Sequence, residues 1–392
     1  MLMKFNTDIR SESFTKLLAL CLVIPAYMDF FVSKAPLFQF IGYLSYLIPL
    51  GILIIHQQLN ISKKFIIYWV IFTILLILPS IINLSSGRLE SDLINFKGLF
   101  SKWTFLSALM LFFDTWLKKY KTNQWHQLLY YLILFMLPMI TIIFFKVFAE
   151  VYECPKQLLH PRCRPIPFGV GAFVTSELFL LFGLLCLALK NHTLKIILIG
   201  LSFIALTLLQ ARTALAGLFI ACSVYTILSM LSKYKKRMLI PFILVGLILS
   251  FYSINFLINH SFIGIHFSTF SNRVDMWQLG LETIQAYPWF GIGFDVSPNY
   301  YSFTSNNPAY VIHNMFIRIA SENGLPLLLL IVLTLIFSII RLFQSKDYIG
   351  ITLLFSMIIF NCFSTRHISI NLMNIIFYII IMKSFYVSRI KN

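Results

Sequence analysis

Charge is scarce in this chain, and acidic charge most of all: 11% of the 392 residues are charged, with 14 Asp and Glu against 31 Lys and Arg. A water-surrounded domain needs a polar exterior. A chain that is 59% hydrophobic holds far more apolar material than one soluble core of this length could bury. The net charge of +17 raises the question of nucleic acid. No soluble segment gathers the cations into a basic patch with groove-reading or base-stacking side chains, so that class is excluded. The Lys and Arg stand in small groups between apolar stretches, as topology signals and lipid-headgroup contacts do.

Cysteine is also sparse, six in all, and no Cys-x-x-Cys pair occurs. Cys21, Cys186, Cys222 and Cys362 fall in apolar stretches and read as packing residues. Cys154 and Cys163 share one connection, where a disulfide and two free thiols are both open readings. His160 between them makes three potential ligands, which without a paired motif falls short of a zinc site. No small-residue cleavage site follows the first apolar stretch, and Leu20 before Cys21 does not suit a lipoprotein signal, so that stretch is expected to be retained. There is no clear repeat between the two halves of the chain.

What is present is a succession of apolar runs of about 20 residues, each long enough to cross a hydrocarbon core of roughly 30 Å. About twelve spans are predicted: Phe14 to Ser33, Leu37 to His56, Phe65 to Leu84, Leu99 to Leu117, Gln127 to Ala149, Phe168 to Leu189, Leu194 to Gln210, Thr213 to Leu231, Met238 to Ile258, Leu325 to Leu342, Ile349 to Phe363 and Ile370 to Val387. The fold class is therefore an all-α polytopic membrane protein, with residues 1–392 forming one integral membrane domain. An even span count puts both termini on one side. Most Lys and Arg fall on that side, including the runs Lys118-Lys119-Tyr120-Lys121 and Lys233-Tyr234-Lys235-Lys236-Arg237, so the termini are expected in the cytoplasm.

Two connections on the outer side are long enough to hold chemistry, Glu150 to Pro167 and the much longer loop of residues 259–324 between spans nine and ten. In the longer one, Val274, Trp277, Leu281 and Ile284 recur at helical spacing opposite Asp275, Gln278, Glu282 and Gln285. That pattern predicts an amphipathic helix from Asn272 to Gln285, capped by Asn272 and stopped by Pro288. A second helix is expected from Pro308 to Asn323, with Asn307 as cap, proline in its first turn and Gly324 beyond its end. Both would lie on or near the outer membrane surface.

Three basic side chains stand at that face next to elements able to hold them. Arg212 opens the eighth span, and its plain reading is an interfacial arginine reaching the headgroups. Arg273 lies in the first turn of the first loop helix, where a cation opposes the helix dipole unless an anion compensates; a solvated charge beside Asp275 is the alternative. His313 sits in the second helix within the mostly apolar stretch from Tyr310 to Phe316, as a base or as a packed interfacial histidine. Glu177 in the outer half of the sixth span is an intramembrane acid, either paired with Arg212 or hydrogen-bonded locally. Arg366 opens the last span from the outer side as a supporting candidate or an anchor.

Taken in order, Arg212-Thr213, Arg273 with Trp277, Pro288-Trp289-Phe290-Gly291-Ile292-Gly293, His313-Asn314 and Glu322-Asn323-Gly324 resemble the O-antigen ligase family, which includes the related O-antigen polymerases and protein O-oligosaccharyltransferases. The specific part of the resemblance runs from Arg212 to Gly324. A second glycine often found soon after the Glu-x-Gly element is absent, and Leu325-Pro326-Leu327 follows instead.

The resemblance implies an enzyme of the bacterial inner membrane that moves a polysaccharide from undecaprenyl diphosphate to a sugar hydroxyl of lipid A core at the periplasmic face. It makes His313 the base, Arg212 and Arg273 the diphosphate ligands, and Asn314, Glu177 and Arg366 supporting residues. The implied mechanism is direct, inverting and free of metal or other cofactor. No Asp-x-Asp pair is present to hold a divalent ion on a diphosphate. The implied partners are the lipid-linked glycan, lipid A core and membrane lipids. A polymerase and a lipid-linked glycan transporter are the competing readings.

Overall fold

The structure is a computed structural model and describes residues 7–28, 44, 45, 47, 48, 51, 61–85, 96–119, 122–152, 165–167, 172–209, 211–233, 268–293, 312–362 and 372–386. Twelve helices and no strand occur among them. In chain order they are α1 (Thr7–Tyr27), α2 (Lys63–Ser85), α3 (Phe96–Lys119), α4 (Thr122–Tyr152), α5 (Ala172–Cys186), α6 (His192–Leu208), α7 (Arg212–Lys233), α8 (Ser268–Ala286), α9 (Met315–Asn323), α10 (Leu325–Gln344), α11 (Tyr348–Asn361) and α12 (Leu372–Tyr386). Ten of them coincide with predicted spans. The second and ninth predicted spans lie outside the described residues, apart from five positions of the second.

Four helices are long and apolar enough to cross a membrane, within α2, α4, α7 and α10, while α5, α6, α11 and α12 are shorter and equally apolar. Their surfaces show which solvent they meet. On α2, Ile66, Ile67, Val70, Ile71 and Ile74 all stand exposed, Ile67 by 60%, and on α10 the exposed row runs Leu329, Leu333, Ile336, Ile340 and Phe343. Contiguous aliphatic faces of this extent would be strongly unfavourable in water at about 25 cal/mol per Å². In a bilayer they cost nothing, and each helix keeps its backbone bonds to itself.

The chain divides into two compact units. The first comprises residues 1–132, 272–345 and 357–392. In it α12 packs against α3, α10 and α1, while α9 packs against α2 and α10. Phe112, Phe113 and Trp116 of α3 meet edge to face at 5.1 and 6.1 Å in its core. Where α2 begins, the buried Asp114 carboxylate of α3 accepts from the Ser62 backbone N–H at 2.6 Å and from the Tyr386 hydroxyl at the end of α12. One acid thus ties three helix ends together.

The second unit comprises residues 133–271 and 346–356. Here α5, α6 and α7 pack mutually. Gly183 lets them close up, since a Cβ there would stand 3.0 Å from Leu218 and 3.1 Å from Ser202. The turn from α6 to α7 is short and buried: Ala211 N–H donates to the Leu206 carbonyl at 3.0 Å, and α7 opens at once with Arg212.

Candidate active site

The long loop reads differently from its predicted boundaries. α8 starts at Ser268, four residues before Asn272, so Asn272 is an interior residue and not its cap. The apolar spacing continues back from Val274 to Phe270, and nothing in the sequence interrupts a helix between them. The end falls as expected: Pro288 disfavours helical backbone in Tyr287, and α8 stops at Ala286.

The second loop helix corrects a larger misreading. α9 begins at Met315, not near Pro308, and its cap is Asn314 instead of Asn307. Asn314 is extended (φ −158°, ψ 115°), and its side-chain oxygen accepts from Phe316 N–H at 2.9 Å and Ile317 N–H at 3.1 Å. Those bonds satisfy two of the donors that a helix start leaves open. His313 therefore stands just outside the helix, before the cap, and not within it. Residues 294–311, with Asn307 and Pro308, lie outside the described residues. Nor does α9 float on a surface: Arg318 to Asn323 are all buried.

Two turns clasp each other beneath this helix. The stretch from Pro288 to Gly293 runs alongside Ser321 to Leu325. Ile292 N–H donates to the Ser321 carbonyl at 2.8 Å, Gly293 N–H to the Glu322 carbonyl at 2.8 Å, and Leu325 N–H to the Pro288 carbonyl at 2.8 Å. Two glycines make the approach possible. Gly291 has φ +56° and a Cβ there would meet the Glu322 carbonyl carbon at 2.4 Å; Gly324 has φ +84° and a Cβ there would lie 2.1 Å from the Trp289 oxygen. The clasp is fastened to α2 from both sides: Asn83 Nδ2 donates to the Gly291 carbonyl at 2.9 Å and Asn323 Nδ2 to the Leu76 carbonyl at 3.1 Å.

Inside α9, Arg318 Nε donates to Glu322 Oε1 at 2.9 Å, with 7% and 0% of the two side chains exposed. Breaking such a buried pair by removing one partner costs about 3–5 kcal/mol. Pro326 sits in the first turn of α10, where its missing N–H leaves no helical bond unmade. The absent second glycine is therefore accommodated.

His313 is held from α8. Trp277 Nε1–H donates to the His313 carbonyl at 3.3 Å, and Gly280, one turn on, leaves room for Ile312 and Ile317, whose side chains a Cβ would approach to 2.9 and 2.5 Å. Arg273 occupies the position one turn before Trp277. The structure brings together Trp277, His313, Asn314, the Pro288–Gly293 turn and Glu322–Gly324 within the first unit.

Arg212 belongs to the second unit, at the first residue of α7, and Glu177 is buried in α5 with 5% exposure. The side chains of Arg212 and Arg273, and hence the pairing of Glu177 with Arg212, lie outside the described residues, as do Arg366, Cys154, His160 and Cys163. Sequence reasoning missed Asn83, Arg318 and Asp114. The four-residue spacing of Arg318 and Glu322 was a usable signal; the ties of Asn83 and Asp114 to distant segments left none.

Comparison with curated proteins gives no match. Residues 197–332, a segment that takes in α7, α8, the clasp and α9, match the family model described as O-antigen ligase.

Proposed function

We propose that this protein is an O-antigen ligase: it transfers a polysaccharide from undecaprenyl diphosphate to a sugar hydroxyl of lipid A core and so completes lipopolysaccharide. The family match over residues 197–332 supports the coarser statement, a membrane enzyme of the glycosyltransferase type acting on lipid-linked polysaccharide. The observation that carries the finer reading is the bond from Trp277 to the His313 carbonyl, because it links the α8 register that carries Arg273 to the imidazole-bearing residue.

In the proposed reaction the acceptor hydroxyl oxygen attacks the anomeric carbon of the donor as the bond to the diphosphate oxygen breaks. The hydroxyl proton passes to the neutral imidazole of His313, and the electron pair of the broken bond leaves on the diphosphate. Guanidinium groups receive that growing charge through charge-assisted, often bidentate bonds, the role given to Arg273 and Arg212. Attack opposite the leaving group inverts the anomeric centre and uses no metal ion. Asn314 fixes the backbone on which His313 stands, and Glu177 and Arg366 are supporting residues. The active site faces the periplasm of the inner membrane.

An O-antigen polymerase is the second reading, because the family match embraces ligase and polymerase types alike. Its acceptor is another lipid-linked glycan. The test offers purified protein the lipid-linked O-antigen with lipid A core, and separately without it. A ligase makes glycosylated lipid A core in the first reaction and no longer lipid-linked chain in the second. Elongation of the lipid-linked glycan itself, with lipid A core left unmodified, would replace the ligase reading with the polymerase one.

A further inference from the structure

The first unit contains a cavity of about 450 Å³ that reaches Met315 and Ile319 of α9, within the range of roughly 300–1,000 Å³ typical of small-molecule sites. Its lining on α2 runs from Lys64 to Phe72, on α10 from Ile331 to Arg341, and on α12 from Phe377 to Tyr386. Nine to eleven residues of helix rise by roughly 15 Å. That is half of a hydrocarbon core of roughly 30 Å, the depth of one leaflet.

The walls of this shaft are almost wholly apolar, and Phe337 and Phe385, 41% and 42% exposed, stand on its open side. Only one end is charged. There Lys64 and Arg341 line the cavity, Lys63 adjoins it at the start of α2, and Lys118 lies one turn after Asp114 near the end of α3. The acid at that end, Asp114, is already engaged by Ser62 and Tyr386. Lys63, Lys64, Lys118 and Arg341 outnumber that acid, so this end carries a net positive charge, set where a headgroup would lie.

We propose that the shaft holds one acyl chain of an anionic phospholipid, whose phosphate is bound by Lys64 and Arg341. The depth argues for this occupant: an acyl chain ends within one leaflet, whereas a polyprenyl chain is too long to end inside the shaft. The cations argue for the headgroup, since a Lys or Arg at the membrane surface favours anionic lipid by about 1 kcal/mol each. This lipid is a resident of the fold and not the donor of the transfer reaction; since Met315 and Ile319 bring the cavity to α9, the comparison with undecaprenyl phosphate decides between the two.

The test is native mass spectrometry of the purified full-length protein with phosphatidylglycerol, phosphatidylcholine or undecaprenyl phosphate at equal concentration, alongside thermal melting. Wild type should retain phosphatidylglycerol about thirtyfold over phosphatidylcholine and melt higher in its presence. The double variant Lys64→Gln/Arg341→Gln should retain the two phospholipids equally. Ile331→Trp, which fills the shaft, should retain neither and lose the lipid-dependent rise while melting as a folded protein without lipid. Equal retention of the two phospholipids by wild type, retention unchanged by Ile331→Trp, or preferential retention of undecaprenyl phosphate would overturn the proposal.

Discussion

Glu322 has no exposed surface, and everything it carries is used: its side chain holds Arg318 and its carbonyl accepts from Gly293. Glu322→Ala leaves a buried guanidinium without its acid and should lower stability by about 3–5 kcal/mol, read by denaturant or thermal unfolding in detergent. Replacing both members, as Arg318→Met/Glu322→Leu, should recover much of that loss, because an apolar pair of similar bulk avoids the unpaired charge. Gly291→Ala is a sharper case. A Cβ there would stand 2.4 Å from the Glu322 backbone at a φ of +56°, so the clasp must open; transfer should fall along with stability, by at least about 1–3 kcal/mol. At this scale the sequence was partly legible. Gly324 was expected beyond the end of α9 and is there at φ +84°. The need for Gly291 was not legible, because the backbone that forbids its side chain comes from residues about thirty positions on.

The elements were readable where one periodic pattern decided them and misread where two equivalent signals competed. Asn307 and Asn314 are both asparagines ahead of helix-forming residues. What separates them is tertiary: Trp277 holds the His313 carbonyl, and Asn314, in extended backbone, then caps the helix that follows. Trp277→Phe tests this tie, since it keeps an aromatic ring and deletes the Nε1 donor. One hydrogen bond is worth about 0.5–1.5 kcal/mol, so transfer should fall up to about tenfold with little change in melting temperature. Asn314→Ala should behave otherwise: a lost cap costs about 1 kcal/mol of stability as well as rate. Equal losses of stability in the two variants would show that Trp277 acts by packing alone.

For the whole molecule, the apolar runs announced a helical membrane protein, and the exposed aliphatic faces of α2 and α10 agree. The order of motifs resembled the O-antigen ligase family, and the model of that family matches residues 197–332, where most of those motifs lie. The three-dimensional clasp lay beyond that reading, since spacing along the chain says nothing about which turns meet. The proposed topology has its own check. In a cysteine-free background, a cysteine placed at Asn306 should react with a membrane-impermeant thiol reagent in intact cells, and one at Lys235 should react only after lysis. The reverse pattern would put the clasp on the cytoplasmic side.

The most direct measurement is transfer of lipid-linked O-antigen to lipid A core by purified protein in the presence of a chelator, comparing wild type with His313→Ala and Arg212→Ala. General-base catalysis contributes about 10²–10⁴-fold, so the account predicts wild-type transfer that survives chelation, a loss of that order in well-folded His313→Ala, and a comparable collapse in Arg212→Ala. A folded His313→Ala protein that transfers at the wild-type rate would contradict it.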